Sequence, residues 1–318
     1  MNGTSQALSK TKHLLITTAT QCESLLRSYA ATRSLTKTKQ LHAHTHAHTI
    51  TSGLLSSSNS AYLRSNLVKM YALFGFVPHA RRLFNEMPDR SSFFYNTVMR
   101  MYIQNGVPYE TLCVFVEMLS SRQCWPDNFT YPIVIKACGD LSLLSIGVVV
   151  HGKTLMAGLE LDTFVQNSLL SMYMNCGEKE ATRCVFDTMS ERSVVSWNTM
   201  INGYLRNGCA KGAMMVFSWM MEEGMEPDCA TMVSVLPTCG YLKDLVSGRS
   251  VHALVEDKGL GKKIVARNVL VDMYSKCGSM DEVRLVVDKM GERDVITWKT
   301  MINGYILNGD ARSALALC

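Results

Sequence analysis

Proline is scarce in this sequence, at 7 of 318 residues, which leaves long stretches free to run as uninterrupted helix. Cysteine is present 11 times, but no two stand in a C-x-x-C pair, so the usual zinc and dithiol spacings are missing and no metal site is expected from them. Scattered single thiols of this kind read as small packing residues in a reducing compartment. Long apolar runs are missing too. Stretches such as Ile146–Val150 fall far short of the roughly 18 to 20 residues a membrane span requires, so no membrane partner is expected. Acidic residues are nearly absent from one region: residues 1–85 hold ten Lys/Arg and a single acid, Glu23. The other 233 residues hold 22 basic and 26 acidic groups, so the formal charge of +5 is local and does not by itself argue for nucleic acid. Catalytic signatures are absent as well. There is no P-loop, no G-x-S-x-G elbow and no G-x-G-x-x-G turn. Neither half of the H-x-E and P-C-x-x-C pattern of zinc deaminases occurs. The chain is expected to be no enzyme and to need no cofactor.

What is present is a repeat. "VVSWNTMINGYLRNG" from Val194 returns as "VITWKTMINGYILNG" from Val295, a shift of 101 residues. The same shift carries "VQNSLLSMYMNCG" (Val165) onto "ARNVLVDMYSKCG" (Ala266), and "GVVVHGK" (Gly147) onto "GRSVHAL" (Gly248). A shift of 102 carries "FFYNTVMRMYIQNG" (Phe93) onto "VSWNTMINGYLRNG" (Val195). Inside one such unit lie three helical hairpins, 194–228, 229–263 and 264–294, of 35, 35 and 31 residues.

Each hairpin opens with an apolar-periodic stretch ending near glycine, as in "TMINGYLRNG", "SVLPTCG" and "NVLVDMYSKCG". Glycine there predicts a helix stopping in the left-handed region. A second stretch follows with apolar residues at i, i+3, i+4 and i+7, such as Ala213, Val216, Phe217 and Met220. One hairpin cannot bury such a face alone, so neighbours must stack. The predicted fold is all-α, an α-solenoid superhelix of helix-turn-helix repeats. Trp219, Phe217, Met200, Met301, Tyr204 and Tyr305 read as packing between helices.

These motifs resemble the pentatricopeptide repeat family, and within it the plant PLS subclass, whose P, L and S repeats alternate at about 35, 35 or 36, and 31 residues. The resemblance covers roughly residues 21–318 and implies a right-handed superhelix. It implies a degenerate L repeat at 21–60, then S 61–91, P 92–127, L 128–162, S 163–193, P 194–228, L 229–263 and S 264–294. A further P repeat begins at Val295 and stops at Cys318 inside its second helix, so the chain is expected to be truncated before any E or DYW extension.

The resemblance also implies single-stranded RNA as the partner, with one base per repeat read by two or three side chains. The fifth residue of a repeat faces the base edge: Ser65, Asn96, Asn167, Asn198 and Asn268. The last residue supplies a second contact: Ser91, Asp127, Ser193, Asp228 and Asp294. The second residue packs on the base plane: Tyr62, Phe93, Phe164, Val195 and Val265. An asparagine amide both donates and accepts, which suits a pyrimidine edge. By the family pattern, Asn with a final Asp implies U and Asn with a final Ser implies C. The L repeats carry Pro132 and Val233 at the fifth position and should discriminate weakly. Lys299 departs from the asparagine series, and its cation is placed to meet a phosphate.

"LHAHTHAHT" puts His42/His46 and His44/His48 at i, i+4, a spacing zinc can use. However, His151 and His252 take the matching place in later repeats without a histidine partner, so one histidine of the cluster reads as a repeat position. Residues 1–20 are acid-free, Ser/Thr-rich and dotted with lysine, like an organelle transit peptide. The expectation is an organellar RNA-binding protein, in mitochondrion or chloroplast. It would serve C-to-U editing or processing as the recognition factor, with a separate editing deaminase or accessory factors as partners. A protein-binding scaffold of tetratricopeptide type is the alternative, and its fixed 34-residue period is the feature that does not match.

Overall fold

The structure, a computed structural model, describes residues 68–317 apart from 70, 72–74, 88, 89, 260 and 262. The expected transit peptide, the 21–60 repeat with its histidine cluster, and the site candidates Tyr62 and Ser65 lie outside the described residues. Among those residues the regular structure is helical, with fifteen α-helices and no strand. The all-α helical-repeat reading therefore holds. Contacts divide the chain into two compact units, Met1–Leu141 and Ser142–Cys318.

The first unit contains α1 (Val77–Asn85), α2 (Ser92–Gln104), α3 (Pro108–Ser121) and α4 (Thr130–Asp140). Pro78 and Pro108 sit in the first turn of α1 and α3, where the missing N–H costs nothing. α2 buries Tyr95, Val98 and Met99 completely and packs against α1, α3 and α4. Glu117 on α3 ties back to α1, pairing with Arg81 at 2.6 Å and with Arg90 through its other oxygen.

The second unit runs α5 (Leu144–Met156), α6 (Thr163–Asn175), α7 (Lys179–Asp187), α8 (Val194–Arg206), α9 (Ala210–Glu222), α10 (Cys229–Leu242), α11 (Leu245–Asp257), α12 (Ile264–Lys276), α13 (Met280–Asp288), α14 (Val295–Leu307) and α15 (Ala311–Ala316). The helices α6, α8, α10, α12 and α14 pack on one another in chain order and form one layer. Each is backed by the helix that follows it. Trp197 on α8 is buried against Phe186 on α7, rings edge to face at 4.7 Å, a contact worth about 3 kcal/mol in burial alone. Phe217, Met200, Met301, Tyr204 and Tyr305 are buried as expected, while Trp219 is half-buried under the Arg183 guanidinium.

The glycine stops divide into two kinds. Gly208 and Gly278 take φ of +69° and +81° directly after α8 and α12, as the sequence predicts. Gly240 does not stop its helix. α10 continues to Leu242, and Lys243 takes the left-handed φ of +53° instead. The reason is packing: a Cβ on Gly240 would lie 3.1 Å from the Met273 backbone, so this glycine lets α10 and α12 approach closely. His151 and His252, alike in sequence position, are alike in space. Each faces a tyrosine hydroxyl of the next first-layer helix, Tyr173 and Tyr274, at 2.8 Å from Nδ1. Burial lowers both imidazole pKa values, which favours the neutral ring.

Candidate nucleic-acid interface

The last residue of a hairpin stands just before the first helix of the next one. Its backbone is extended and its side chain is free to cap that helix. Asp228 accepts from Thr231 N at 2.8 Å, and Asp294 from Thr297 N at 2.8 Å, both in capping boxes. Asp127 accepts from Phe129 N and Thr130 N at 3.0 and 2.8 Å. The fifth residue of a hairpin sits just over one turn into its own first helix. Because the first helices lie side by side, fifth and last residues meet across the helix ends.

They meet in the same way three times. Asn96 Nδ2 donates to Asp127 Oδ1, Asn198 Nδ2 to Asp228 Oδ1 and Asn268 Nδ2 to Asp294 Oδ1, each at 3.1 Å. A threonine three residues after each aspartate closes the set. Thr130, Thr231 and Thr297 donate from Oγ1 to the asparagine Oδ1 at 2.8, 2.7 and 2.6 Å. The same hydroxyls lie 2.8–2.9 Å from the aspartate Oδ1 and accept from the aspartate N–H at 3.1–3.2 Å.

The aspartates stay ionised. Burial works against the charge of Asp127 and Asp228, but hydrogen bonds from threonine and asparagine outweigh it and lower both pKa values. For Asp294 the Thr297 backbone N–H is the largest influence, and the pKa again falls.

Asn167 is placed differently. Its partner by sequence, Ser193, caps α8 and forms a capping box with Ser196, the two hydroxyls 3.2 Å apart. Asn167 Oδ1 is buried with no hydrogen-bond partner. Ser91 precedes α2 without a side-chain cap bond. Pro132 and Val233 are half-buried and offer no polar side chain, and Lys299 is exposed on α14.

The second residues stand out from the surface. Phe93, Phe164, Val195 and Val265 are between 49% and 74% exposed, high for apolar side chains in a well-packed protein. Phe129 and Ile296 hold the same register and are as exposed, which the sequence reading left out. Within the first unit, Phe93 and Phe129 line a groove of about 620 Å³ with Asn96 and Asp127 between them. Lys69 lies 4.8 Å over the Phe93 ring, and Arg100 and Gln104 complete that wall. The threonines were the residues that sequence reasoning missed. Their signal was present, since "FTYP", "ATMV" and "ITWK" carry threonine where "VSWN" carries serine. Among the described residues no group of three or more His, Cys, Asp or Glu could hold a metal ion, and no helix is long and apolar enough to cross a membrane.

The PPR repeat family matches at residues 90–140 and 192–240, and the PPR repeat at 64–92, 265–295 and 296–318, together more than half of the chain. A pentatricopeptide repeat-containing protein of Arabidopsis thaliana is 51% identical over 299 residues, covering 94% of this chain and 43% of its own length. A second from the same plant, named mitochondrial, is 36% identical over 231 residues, covering 72% of this chain and 34% of its own. A third, named chloroplastic, is 34% identical over 252 residues, covering 79% and 29%. The chain thus spans less than half the length of these relatives. Among solved structures, the pentatricopeptide repeat protein PPR10 in complex with an 18-nt psaJ RNA element superposes with a TM-score of 0.73. It is 17% identical and covers 99% of this chain and 47% of its own. At that identity the likeness is one of fold.

Proposed function

This chain belongs to the pentatricopeptide repeat family, and on that premise we propose that it binds single-stranded RNA and reads one base per hairpin. The observation that carries the reading is the threefold recurrence of one arrangement. An asparagine amide is held between an ionised aspartate and a threonine, beside an apolar side chain left exposed. A solenoid that bound only proteins has no need of the same polar set at the same register three times over. An asparagine edge with an apolar or aromatic plate beside it is what an unstacked base calls for: hydrogen bonds to its edge and contact with its face.

Asn96/Asp127, Asn198/Asp228 and Asn268/Asp294 are assigned to U, and Asn167/Ser193 to C. The plates are Phe93, Phe164, Val195 and Val265, with Phe129 and Ile296 added. The repeats starting at residues 92 to 264 then specify U, any, C, U, any, U in the 5′ to 3′ direction. Lengths of 35, 35 and 31 residues support the P, L and S assignment, and Lys299 is left to a phosphate. The relatives named mitochondrial and chloroplastic support an organellar setting. The role in that setting is recognition for RNA editing or processing, with any deaminase supplied from outside residues 68–317.

Selection of bound RNA from a random pool by the recombinant chain tests this. Pyrimidines enriched at the stated spacing are the expected result. Replacing Asn198 by Thr and Asp228 by Asn should move the preference at that one base from U towards A. A pool that emerges unenriched would point to a protein-binding solenoid instead.

A further inference from the structure

We propose that Thr130, Thr231 and Thr297 are specificity-determining positioning residues. Each locks the amide of the asparagine in the preceding hairpin into one orientation, and that lock is what separates uracil from cytosine. The inference rests on the RNA-reading assignment above.

An asparagine amide has two donor hydrogens and two acceptor lone pairs. In all three sets one hydrogen goes to the aspartate Oδ1 and one lone pair takes the threonine hydroxyl proton. One donor and one acceptor remain, in a fixed order. Turning the amide over would set Oδ1 against the aspartate carboxylate, two acceptors about 3 Å apart. It would also set Nδ2 against a hydroxyl oxygen that already accepts from the aspartate N–H. The threonine proton must lie on the asparagine side. Without it two oxygens 2.6–2.8 Å apart would face each other lone pair to lone pair.

The order matters because the two pyrimidines present opposite patterns. Uracil offers an N3–H donor beside an O4 acceptor, and cytosine an N3 acceptor beside an N4–H donor. An amide free to turn over serves either one, whereas a locked amide serves only one. The molecule contains its own contrast. At Asn167 the following hairpin supplies Ser196, which is engaged with Ser193, and Asn167 Oδ1 receives no proton. That amide is held by neither partner. The reading residues of one hairpin are therefore completed by the third residue of the next.

The test uses the full chain and RNA oligonucleotides of the stated order, with U or C at one position at a time. In the wild type the base opposite Asn198 should favour U over C clearly, and the base opposite Asn167 should discriminate less. In Thr231→Val the U-over-C ratio at Asn198 should fall roughly tenfold towards parity. Ratios at Asn96 and Asn268 should stay as they were. Thr231→Ser should restore the preference, since the hydroxyl returns. A structural role alone would weaken U and C equally and leave the ratio unmoved. The gain-of-lock variant Ser193→Asp with Ser196→Thr removes no native threonine and should raise U over C at Asn167. A folded Thr231→Val chain that keeps its full ratio overturns the lock while leaving the RNA assignment standing. A wild type with no base preference at any asparagine overturns the assignment, and the lock with it.

Discussion

Asp127, Asp228 and Asp294 each gather hydrogen bonds on one carboxylate oxygen, from the helix they cap and from the asparagine of the hairpin before. One charge therefore serves two purposes, starting a helix and holding a reading residue. Their pKa values are lowered in the folded state from an ordinary 3.8. A carboxyl with a depressed folded pKa adds stability above its unfolded pKa and loses it as the pH falls through the folded one. The stability from these groups should thus be constant from pH 5 to 8 and decline below about 3.8. Thermal melts between pH 3 and 7 check this. Asp228→Asn should flatten the acid limb, and a limb unchanged in a triple Asp→Asn variant would show the charges to be unimportant.

At the scale of the helix, glycine does two unrelated jobs. After α8 and α12 it supplies a positive φ that other residues rarely adopt. Within α8 and α14, Gly203 and Gly304 have helical backbone, and their role is closeness. A Cβ on Gly203 would collide with Met174 Cγ and lie 2.9 Å from Met174 Cβ, both near the α6 backbone and unable to swing away. Glycine-to-alanine inside a helix usually stabilises by about 0.5–1 kcal/mol. Here Gly203→Ala should instead destabilise by about 1–3 kcal/mol through overpacking, seen as a lowered melting temperature. Met174→Ala on the same chain should recover much of the loss, and simple additivity of the two changes would refute the contact. Gly240 belongs with this second group, although it ends an apolar stretch as Gly208 does.

In the second unit the layering is repetitive: each first helix packs on its neighbours in sequence, and little packs at long range. Stability in such an array is close to a sum of hairpins and their interfaces. Residues 142–318, expressed alone, should fold with helical circular dichroism and keep C, U, any, U as their preference, since Asn167, Asn198 and Asn268 all lie within them. Loss of base preference in that folded fragment would mean that reading requires the other unit.

The sequence by itself determined the periodicity, the all-helical class, most glycine stops and the register at which Asn96, Asn167, Asn198 and Asn268 recur. All of these are local or repeat at a fixed spacing, so they survive translation into a string of letters. Only the tertiary structure decided which asparagines are held. Asn167 and Asn198 look equivalent along the chain, yet one has a buried unpaired oxygen and the other a complete set of partners. The difference arises because the deciding hydroxyl belongs to the next hairpin, about 30 residues on, and reaches the amide only when first helices lie side by side. Gly240 teaches the same lesson, since its neighbour across the interface, Met273, is 33 positions away in sequence and in contact in space.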